Sequence, residues 1–575
     1  MVDGSPAVGS LFTIPVLCAV LSGLAWFFLA LSFYRGDFAI SKQSSIAYDQ
    51  EQTEARISGL SWNENTTLVN FENFKELRTL GSIWLTALVL PPSADCTVLG
   101  LKDKIILPAN QYHPAMAKEE NMQSKCRSRY EQHCFWQASD YKPSPEFLDV
   151  LREYEKYHRD CVQGHDLLDL NDRGSVPKNT SCKYVIWSDM DGNGNQLISL
   201  VSAFLYGLMT GRVLLMTPKA QLQYMLCEPF PFSSWLAPEG IPHASERYET
   251  PEERHSVFYE QALQNKSDGK PIVTPKHLVV MNSHWIQPDD LRFFCQGEQK
   301  LLDQIPWLYF WSNNYIAPGY YFLPNFRTKL NKWFPDRALF LHAGRYLLSP
   351  RDEIWERVLR FYYAYLDFAD RRVGIQVRSW DGNYDPVISE HIMSCGWRWG
   401  LLPKLADTKS EEFRDDSGGE RISVVVTSLR REYAEGIVEV FANNGTVGHE
   451  TVTVLNPSSE GYQMFGQIDH DRKAISEIWL LSFTEQIIST PKSTFGYVAH
   501  GLAGRKPFVF NKFGGGEVPD PPCLESNMPG PCFINHPHNM LCPLDGPSDG
   551  IGDSFTVLPE VRHCLLQWGI GVVER

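Results

Sequence analysis

The sequence predicts an α/β fold built from two Rossmann-like halves with a cleft between them. Residues 183–216 show the order strand, glycine turn, helix, strand, which is typical of a βαβ unit with a parallel sheet. Residues 373–510 then alternate short apolar strands with helical segments a second time. Ligands of such folds bind at the carboxyl ends of the strands, so we expect the ligand in the cleft between the halves.

The elements of the first half follow from periodicity. Pro145–His158 carries apolar side chains at helical spacing, whereas the segments around it are short apolar runs bounded by turns. We predict strands at Lys183–Trp187 and Arg212–Met216, a turn at Asp191–Gln196 and a helix at Leu197–Met209.

In the second half the sequence predicts more strands than helices. The predicted strands are Val373–Val377, Ile422–Val426, Thr451–Leu455, Gln486–Ser489 and Phe508–Phe510, and the predicted helices are Ala474–Ser482 and Phe495–Leu502. A polar turn, Thr490–Thr494, precedes the second helix.

Composition excludes some classes of protein. The chain has 575 residues, 43% of them hydrophobic and 21% charged, which is typical of a globular protein of several domains. Lys plus Arg total 53 against 68 for Asp plus Glu, a formal charge of -15. This balance excludes a polybasic nucleic-acid binder and leaves room for an anionic ligand held by a few arginines and helix N-termini.

The amino terminus predicts a membrane anchor. Leu11–Tyr34 is an uncharged apolar run of a length that spans a bilayer, and we prefer a retained signal anchor to a cleaved signal because no basic residue precedes it. We therefore predict a cytosolic tail (1–10), an anchor (11–34), a stem (35–120) and two lobes (121–345 and 346–575).

Two signals disagree about which side of the membrane holds the folded body of the protein. Arg35 and Lys42 follow the span, which by the positive-inside rule would place the body in the cytosol. Twelve cysteines beyond the span, Cys96 to Cys564, favour disulfides in a lumen over a zinc site, because no close CxxC pair occurs. Four N-glycosylation sequons add weak support, and we predict a lumenal body. The sequons begin at Asn65, Asn179, Asn265 and Asn444.

Three segments carry side chains suited to an anionic ligand, and each has a simpler structural explanation. Gly192–Gln196 joins a strand to a helix, as a phosphate-binding turn or a plain tight turn does. Arg378 ends a strand and suits a pyrophosphate, or an ion pair with Asp381 or Asp385. Ser493–Tyr497 opens a helix and could cap it, bind phosphate, or both.

Two Asp-x-Asp triplets, Asp189–Asp191 and Asp469–Asp471, could hold a divalent metal on a sugar nucleotide. Such triplets are common by chance, and we predict no metal.

The motifs together resemble a known family. The blocks Gly374-Ile-Gln-Val-Arg378, Val426-Thr-Ser-Leu429, Pro457-Ser-Ser-Glu-Gly-Tyr-Gln463 and Ser493-Thr-Phe-Gly-Tyr-Val-Ala499 resemble the plant xyloglucan fucosyltransferases of glycosyltransferase family 37. Further blocks follow in register over roughly residues 120–570: Cys126-Arg-Ser-Arg-Tyr130, Tyr141-Lys-Pro-Ser-Pro145, Cys182-Lys-Tyr-Val-Ile-Trp187, Cys227-Glu-Pro-Phe230, Ile305-Pro-Trp-Leu308, Gly344-Arg-Tyr-Leu347, Pro519-Asp-Pro521, Pro531-Cys-Phe533 and Val561-Arg-His-Cys564.

The resemblance implies a two-lobed GT-B fold, a type II Golgi membrane protein and a metal-independent, inverting transfer of fucose from GDP-fucose. The α-1,2 linkage would go to galactose on a cell-wall glycan, xyloglucan above all. No cofactor is implied, since GDP-fucose is a co-substrate. The implied partners are GDP-fucose, a galactosylated polysaccharide and the Golgi membrane. The resemblance is also compatible with a homodimer or with an assembly with other Golgi glycosyltransferases.

The resemblance also implies roles for residues. Arg378 would contact the donor pyrophosphate, Thr427 and Ser428 would lie near the guanosine, and the first-lobe turn would face the reaction centre. The implied catalytic residues are Arg378, Asn195 and Asn313. The implied donor-binding residues are Gly192, Gly194, Gln376, Arg378, Thr427, Ser428, Tyr462, Ser493, Thr494, Phe495, Gly496 and Tyr497.

Two positions depart from the family pattern. The turn usually ends Gly-Asn-Arg, whereas Gln196 stands at its last position here. Asn313 stands where the family usually has an acid, and an amide cannot act as a general base. Other sources of a base are a water molecule or the side chains of Asp381, His342 and His500, the two histidines being better explained as structural.

Three functional interpretations stay open. The chain could fucosylate xyloglucan, fucosylate another acceptor such as arabinogalactan protein, or be an inactive lumenal protein that binds glycan or organises partner enzymes. Disulfide connectivity and oligomeric state also stay open. An aromatic set could stack on sugars, although core packing explains it better: Trp307, Tyr309, Trp311, Tyr315 and Tyr320–Phe322.

Overall fold

The computed structural model describes residues 126–137, 139–163, 166–168, 182–284, 288–406, 419–511, 516–546, 550–551, 558–566 and 569–575. The predicted tail, anchor and stem, with Asn65 and Asn179, lie outside these residues. Within them, no helix combines the length and the apolar character that crossing a membrane requires.

The first sheet is wholly parallel. Its strands are β1 (Lys183–Ser188), β2 (Arg212–Met216), β3 (His277–Asn282) and β4 (Trp307–Ser312), in the spatial order β2-β1-β4-β3. The parallel pairing of β1 with β2 confirms the predicted βαβ unit. Nearly every side chain of these strands is buried, because helices cover both faces of the sheet.

The second sheet has six strands. They are β5 (Arg371–Gln376), β6 (Arg421–Thr427), β7 (Thr451–Leu455), β8 (Gln486–Ser489), β9 (Phe508–Phe510) and β10 (Cys523–Glu525), in the order β10-β9-β8-β5-β6-β7. All pairs are parallel except β9 with β10. The five strands predicted in this half are confirmed with small shifts at their ends, and the α/β class is confirmed with them.

Helices flank and connect the sheets. Those around the first sheet are α1 (Ser128–Glu131), α2 (Pro145–Gln163), α3 (Asn193–Thr210), α4 (Ala244–Tyr248), α5 (His255–Ser267), α6 (Gln296–Leu302), α7 (Pro324–Trp333) and α8 (Leu339–Leu347). Those that follow are α9 (Asp352–Phe361), α10 (Pro386–Arg398), α11 (Glu432–Asn443), α12 (Ile468–Ser482) and α13 (Thr494–Ala503). Short hairpins join β11 (Met540–Leu541) to β12 (Gly550–Ile551), and β13 (Val561–His563) to β14 (Ile570–Val572).

One predicted boundary is wrong in a way that bears on function. Helix α3 begins at Asn193, within the turn predicted at Asp191–Gln196. Gly192 has extended backbone angles (φ −77°, ψ 169°) and is the N-cap, so Gly194 and Gln196 lie in the first helical turn. Asparagine and glycine indicate a turn from sequence alone, but here burial against a second helix holds them in a helix.

One large hydrophobic core joins the two halves of the chain, and two smaller clusters pack against the other faces of the two sheets. Helix α13, which follows β8, packs against α3 and α8 from the first half of the chain and against its neighbour α12. The amino-terminal segment closes this core, since the Trp136 indole donates to Ser482 Oγ (3.1 Å) and the Trp479 indole donates to Gln132 Oε1 (2.9 Å). All described residues fall in one compact unit.

Disulfides form in both halves, as the cysteine count predicted. The described pairs are Cys126–Cys227, Cys161–Cys182, Cys295–Cys542, Cys395–Cys523 and Cys532–Cys564. Of the four cysteines near the carboxyl end, Cys532 and Cys564 pair with each other, whereas Cys523 and Cys542 reach back to earlier helices. The core interpretation of the aromatic set is also confirmed for Trp307, Tyr309, Tyr315, Tyr320 and Tyr321, which are fully or almost fully buried.

A candidate active site where two helix N-termini meet

Both sheets change strand order at the place where the predicted site residues lie. In the first sheet the order reverses between β1 and β4, whose carboxyl ends lead into Asp191 and Asn313. In the second it reverses between β5 and β8, whose ends lead into Arg378 and Thr494. Such switch points leave a crevice outside the strand ends, which is where open α/β sheets bind ligands.

The two crevices meet at Gly194. A Cβ atom on Gly194 would lie 2.6 Å from the backbone nitrogen of Phe495 and 2.7 Å from Thr494 Oγ1, so glycine is required for this approach. Beside it, Thr494 Oγ1 donates to Asn195 Oδ1 (2.9 Å), and Asn195 Nδ2 donates to the backbone oxygen of Asn313 (2.9 Å). These contacts join the first turns of α3 and α13.

Neither helix start is capped by a side chain. The N-caps are Gly192 for α3 and Ser493 for α13, and the Ser493 hydroxyl makes no capping hydrogen bond. The predicted capping role of Ser493 is therefore not observed. The first N–H groups of a helix lack intrahelical partners and carry a partial positive charge, so two adjacent helix starts form an anion-binding surface.

Arg378 adds a full positive charge at this junction. Its backbone nitrogen donates to Thr490 Oγ1 (2.9 Å) and its Nη2 donates to Gln463 Oε1 (2.8 Å). The alternative ion pairs do not form: Asp381 accepts from Ser379, and Asp385 caps α10 through the Val387 nitrogen. Within the described ranges no carboxylate pairs with the Arg378 guanidinium, whose partial burial lowers its pKa.

Gln463 links Arg378 to the first sheet. A Cβ atom on Gly192 would lie 2.8 Å from Gln463 Nε2 and 3.8 Å from Phe465 Cε1, so the Gln463 amide sits between Gly192 and the guanidinium. Three exposed aromatic residues adjoin this contact: Phe465 (68% exposed), Trp380 (62%), whose ring lies 5.7 Å from the Arg378 guanidinium, and Tyr462 (66%), which precedes Gln463 in the chain.

An acid–amide cluster forms the first sheet's side of the junction. Asp191 adopts a left-handed backbone (φ 61°), which aspartate tolerates better than most residues. Asn313 Nδ2 donates to Asp191 Oδ2 (2.5 Å), and Asn313 Oδ1 accepts from the His284 backbone nitrogen (2.9 Å). Burial lowers the pKa of His284, and the nearby Asp191 carboxylate opposes that shift.

A second contact ties this cluster to α12. Asn193 Nδ2 donates to Asp471 Oδ1 (2.8 Å), and burial raises the pKa of that carboxyl. Gln196 Nε2 donates to the Asp191 backbone oxygen (2.8 Å), so the residue that departs from the family pattern supports the loop.

The remaining predicted donor residues divide into two groups. Gln376 is buried and its Oε1 accepts from Ser489 Oγ (3.2 Å), while Tyr497 is buried in the core. Thr427 is buried with a hydroxyl that lacks a partner among the described atoms, and Ser428 Oγ accepts from the Arg430 nitrogen (3.1 Å). Gln376 and Tyr497 therefore support the walls of the crevice, whereas Thr494 bonds Asn195 at the junction and the Phe495 side chain packs against the core. Gly496 packs on Ser489, whose Oγ would lie 2.1 Å from an added Cβ.

The side chains proposed as alternative bases are engaged elsewhere. His342 Nε2 hydrogen-bonds Asp336 Oδ2 (2.7 Å), and His500 Nδ1 hydrogen-bonds the Pro529 carbonyl inside the core. Burial lowers the pKa of His500 to about 4. Asp381 is exposed and bonded within its own loop. The structural interpretation of both histidines thus agrees with the contacts.

The Asp-x-Asp triplets do not converge on one point. Asp189 Oδ1 lies 3.5 Å from His243 Nε2, Asp191 bonds Asn313, and Asp469 pairs with Arg472. Among the residues that the structure describes, no cluster of three or more His, Cys, Asp or Glu side chains could hold a metal ion.

Three residues of this site carry no role in it that the sequence predicts. Gln463 belongs to a quoted motif without an assigned role, His284 follows no motif, and Asp471 belongs to a triplet considered for metal alone. Asp191 was considered for metal alone, although its position after a strand was a signal that it faces the crevice.

Comparison with known proteins identifies relatives of this chain. The family model described as xyloglucan fucosyltransferase matches residues 108–542. In Arabidopsis thaliana, probable fucosyltransferase 4 is 36% identical over 468 residues (79% of this chain and 86% of that protein). Galactoside 2-alpha-L-fucosyltransferase is 36% identical over 462 residues (78% and 81%). A solved structure of an Arabidopsis thaliana FUT1 mutant in complex with GDP shares 34% identity, covers 79% of this chain and 98% of its own, and superposes with a TM-score of 0.69. The chain belongs to the xyloglucan fucosyltransferase family.

Proposed function

We propose that this fucosyltransferase moves L-fucose from GDP-fucose, with inversion, to the 2-hydroxyl of a terminal galactose on xyloglucan. The observation that carries the donor assignment is the junction of two uncapped helix N-termini beside an Arg378 that has no carboxylate partner among the described residues. We further propose that the two sheets are the two lobes of a GT-B fold, with the donor held mainly by the second.

The chemistry of the donor explains this arrangement. In fucosyl transfer the bond from the anomeric carbon to the phosphate oxygen breaks, and negative charge grows on GDP while the sugar becomes oxocarbenium-like. Arg378 can grip the pyrophosphate through two N–H groups, and the N-termini of α3 and α13 add preorganised donors. These groups supply the positive charge that a metal supplies in other sugar-nucleotide enzymes, which supports a metal-independent transfer.

One structural feature and the similarity to relatives support a glycan acceptor. Three large aromatic side chains, Trp380, Tyr462 and Phe465, are mostly exposed around the contact of Gln463 with Gly192. Aromatic faces bind the apolar faces of sugar rings and exclude water from the reacting groups. The galactose and xyloglucan assignments rest on similarity to the galactoside 2-alpha-L-fucosyltransferase of Arabidopsis thaliana and on the family description.

We also propose that the protein is a single-pass Golgi membrane protein with its body in the lumen. Its support is chemical, since five described disulfides are the kind of bond that persists in an oxidising compartment. Of the predicted glycosylation sites within the described residues, Asn265 lies on α5 and Asn444 follows α11, and both are half-buried.

The test uses the full-length chain, purified in detergent from a eukaryotic secretory host. It is incubated with GDP-fucose and a galactosylated xyloglucan oligosaccharide, with chelator present, and both GDP release and fucosylated product are measured. We expect product with an α-1,2 linkage. GDP release without product on this acceptor, but with product on arabinogalactan protein, would reassign the acceptor.

Two other outcomes would contradict the proposal. Activity abolished by chelator and restored by Mg²⁺ or Mn²⁺ would show metal-dependent transfer. A folded sample that binds GDP and releases none from GDP-fucose with either acceptor would show an inactive protein that binds glycan or organises partner enzymes.

A further inference from the structure

The structure contains a carboxylate at the reaction crevice to which neither the sequence motifs nor the donor chemistry assigns a role. Transfer to a sugar hydroxyl requires that the hydroxyl lose its proton, and an amide such as Asn313 cannot accept one. Asp191 lies at the carboxyl end of β1, next to the N-cap of α3, and its side chain is solvent-exposed. We propose that Asp191 is the general base of this enzyme and that Asn313 is the residue that positions it; this inference rests on the proposed function.

The first support is orientation. Asn313 Nδ2 donates to Asp191 Oδ2 at 2.5 Å, and the same amide is fixed at its other end, where Oδ1 accepts from the His284 nitrogen. The second carboxylate oxygen, Oδ1, has no hydrogen-bond partner in the part of the chain that the structure describes. One oxygen is therefore anchored, and the other is open to a hydroxyl of the substrate.

The second support is position relative to the leaving group. Gly192 follows Asp191 directly, and the Gln463 amide that contacts Gly192 also accepts from the Arg378 guanidinium. The carboxylate thus belongs to the same short network as the cation assigned to the pyrophosphate. An inverting transfer needs such an arrangement, with a proton acceptor and a leaving-group stabiliser serving one anomeric carbon.

The third support is that nearby carboxylates are committed to other contacts. Asp189 faces His243 at 3.5 Å, and Asp471 accepts from Asn193. Asp191 also holds a left-handed backbone, and unusual backbone geometry of this kind concentrates at functional sites.

The step balances without a further reagent. The acceptor oxygen forms a bond to the anomeric carbon while the bond to the phosphate oxygen breaks, and GDP leaves with that electron pair. The hydroxyl proton passes to Asp191 Oδ1 and is released to solvent after the product departs. No electron is gained or lost, and no metal takes part.

The test compares D191N with the wild-type full-length chain on GDP-fucose and the galactoside acceptor. The substitution keeps the size of the side chain and its contact with Asn313 but removes the proton acceptor. General-base catalysis contributes ~10²–10⁴-fold, so we expect kcat to fall within that range while the GDP affinity and the acceptor KM stay unchanged. D189N, which alters a carboxylate two residues away, is the matched control and is expected to keep wild-type kcat.

The pH profile separates a base from a structural role. The titratable groups around the loop are His284 after β3, the pair Asp189 and His243, and Asp471 on α12. We expect the acidic limb of the wild-type kcat profile to disappear in D191N and to stay in D189N. The exchange variant D191N/N313D returns a carboxylate to the pair, and we expect it to recover part of kcat together with an acidic limb.

Three results would overturn the inference. These are wild-type kcat in D191N, an acidic limb that D191N retains, or a loss of GDP affinity that accounts for the whole loss of rate. If the wild-type chain itself forms no fucosylated product, the proposed function fails instead, so the two failures are distinguishable.

Discussion

The carboxyl ends of the two sheets differ in how their polar and charged groups are paired. At the first sheet hydrogen bonds link the polar residues, since Asn313 Nδ2 donates to Asp191 Oδ2 and Asn195 Nδ2 donates to the Asn313 backbone oxygen. At the second sheet Arg378 lacks a carboxylate partner in the described structure, and the start of α13 has no side-chain cap. One side is a hydrogen-bonded acid–amide network and the other is a positive surface formed by a guanidinium and a helix N-terminus.

The difference indicates a division of labour. A hydrogen-bonded network fixes the orientation of its members, which suits proton transfer, whereas uncompensated positive charge suits the binding of a diphosphate. The two sides meet at Gly194, along the Gln463 contact, and through the hydrogen bonds of Thr494 with Asn195 and of Asn193 with Asp471. Substitutions on each side should therefore change different kinetic constants.

The largest effect is expected from a substitution on the positively charged side of the crevice. Replacing Arg378 with alanine removes the charge assigned to the pyrophosphate, and we expect kcat to fall ~10²–10³-fold with weaker GDP binding. Steady-state kinetics and calorimetric GDP titration measure both. R421A is the matched control, because Arg421 pairs with Asp370 on the surface at the opposite end of β6, and it should behave as wild type. Full activity of R378A would remove the basis for the donor assignment.

The junction itself is tested by Gly194→Ala. The added Cβ would meet backbone atoms of Thr494 and Phe495 at 2.6–2.7 Å, so the two helix starts must move apart. We expect a loss of about 1–3 kcal/mol of unfolding free energy and a fall in kcat of roughly tenfold or more. Thermal unfolding and kinetics give these values.

Gly436→Ala provides the comparison for Gly194→Ala. Gly436 lies on α11, and an added Cβ there meets its nearest atom at 3.7 Å. We expect that variant to gain about 0.5–1 kcal/mol with unchanged kinetics, because alanine is favoured within a helix. If both variants showed the same unfolding temperature and kinetics, the junction at Gly194 would have room for a side chain, contrary to the prediction.

A smaller effect is expected from Thr494→Val. It removes the hydrogen bond to Asn195 Oδ1 and leaves that oxygen unpaired, which costs about 1 kcal/mol, so kcat should fall roughly fivefold. T494S retains the hydroxyl and should keep most of the activity. A T494V enzyme indistinguishable from wild type would show that the Asn195 contact does not support catalysis.

The smallest effect on activity is expected from a change that acts on stability, on the second sheet's side. Glu477 on α12 is buried, and burial raises its pKa from 4.5 to about 8, despite a hydrogen bond from Ser458. Between these values the folded state holds a proton that the unfolded chain releases, so the stabilising contribution is complete below pH 4.5 and is lost as pH rises through about 8.

Glu477→Gln tests this pH dependence. The variant should unfold at a higher temperature than wild type at pH 8 to 9, and the difference should vanish near pH 4.5, as measured by calorimetry across pH. E439Q, an exposed change on α11, should show no such trend. A pH-independent difference between E477Q and wild type would contradict the assigned cause.

The fold and the donor side were largely predictable from the sequence. Strands such as Thr451–Leu455 and Gln486–Ser489 were placed correctly, because short apolar runs between turn residues have few alternatives. Arg378 and Thr494 were found because both follow a strand, and strand ends of parallel sheets are adjacent in space. The strands β3 and β4 were not predicted, since fully buried strands lack the alternating pattern and aromatic runs such as Trp307–Ser312 suit a helix equally well.

What the sequence determined by itself is local: helix and strand periodicity, and an amide at position 313. Only the tertiary structure decided which side chains meet. It bonded Asn313 to Asp191, 122 residues away, and it placed Gln463 between Gly192 and Arg378. It also engaged the three candidate bases, His342, His500 and Asp381, in other contacts. The physical reason is that hydrogen bonds and close approaches between distant segments depend on sheet order and helix packing, which local patterns do not encode.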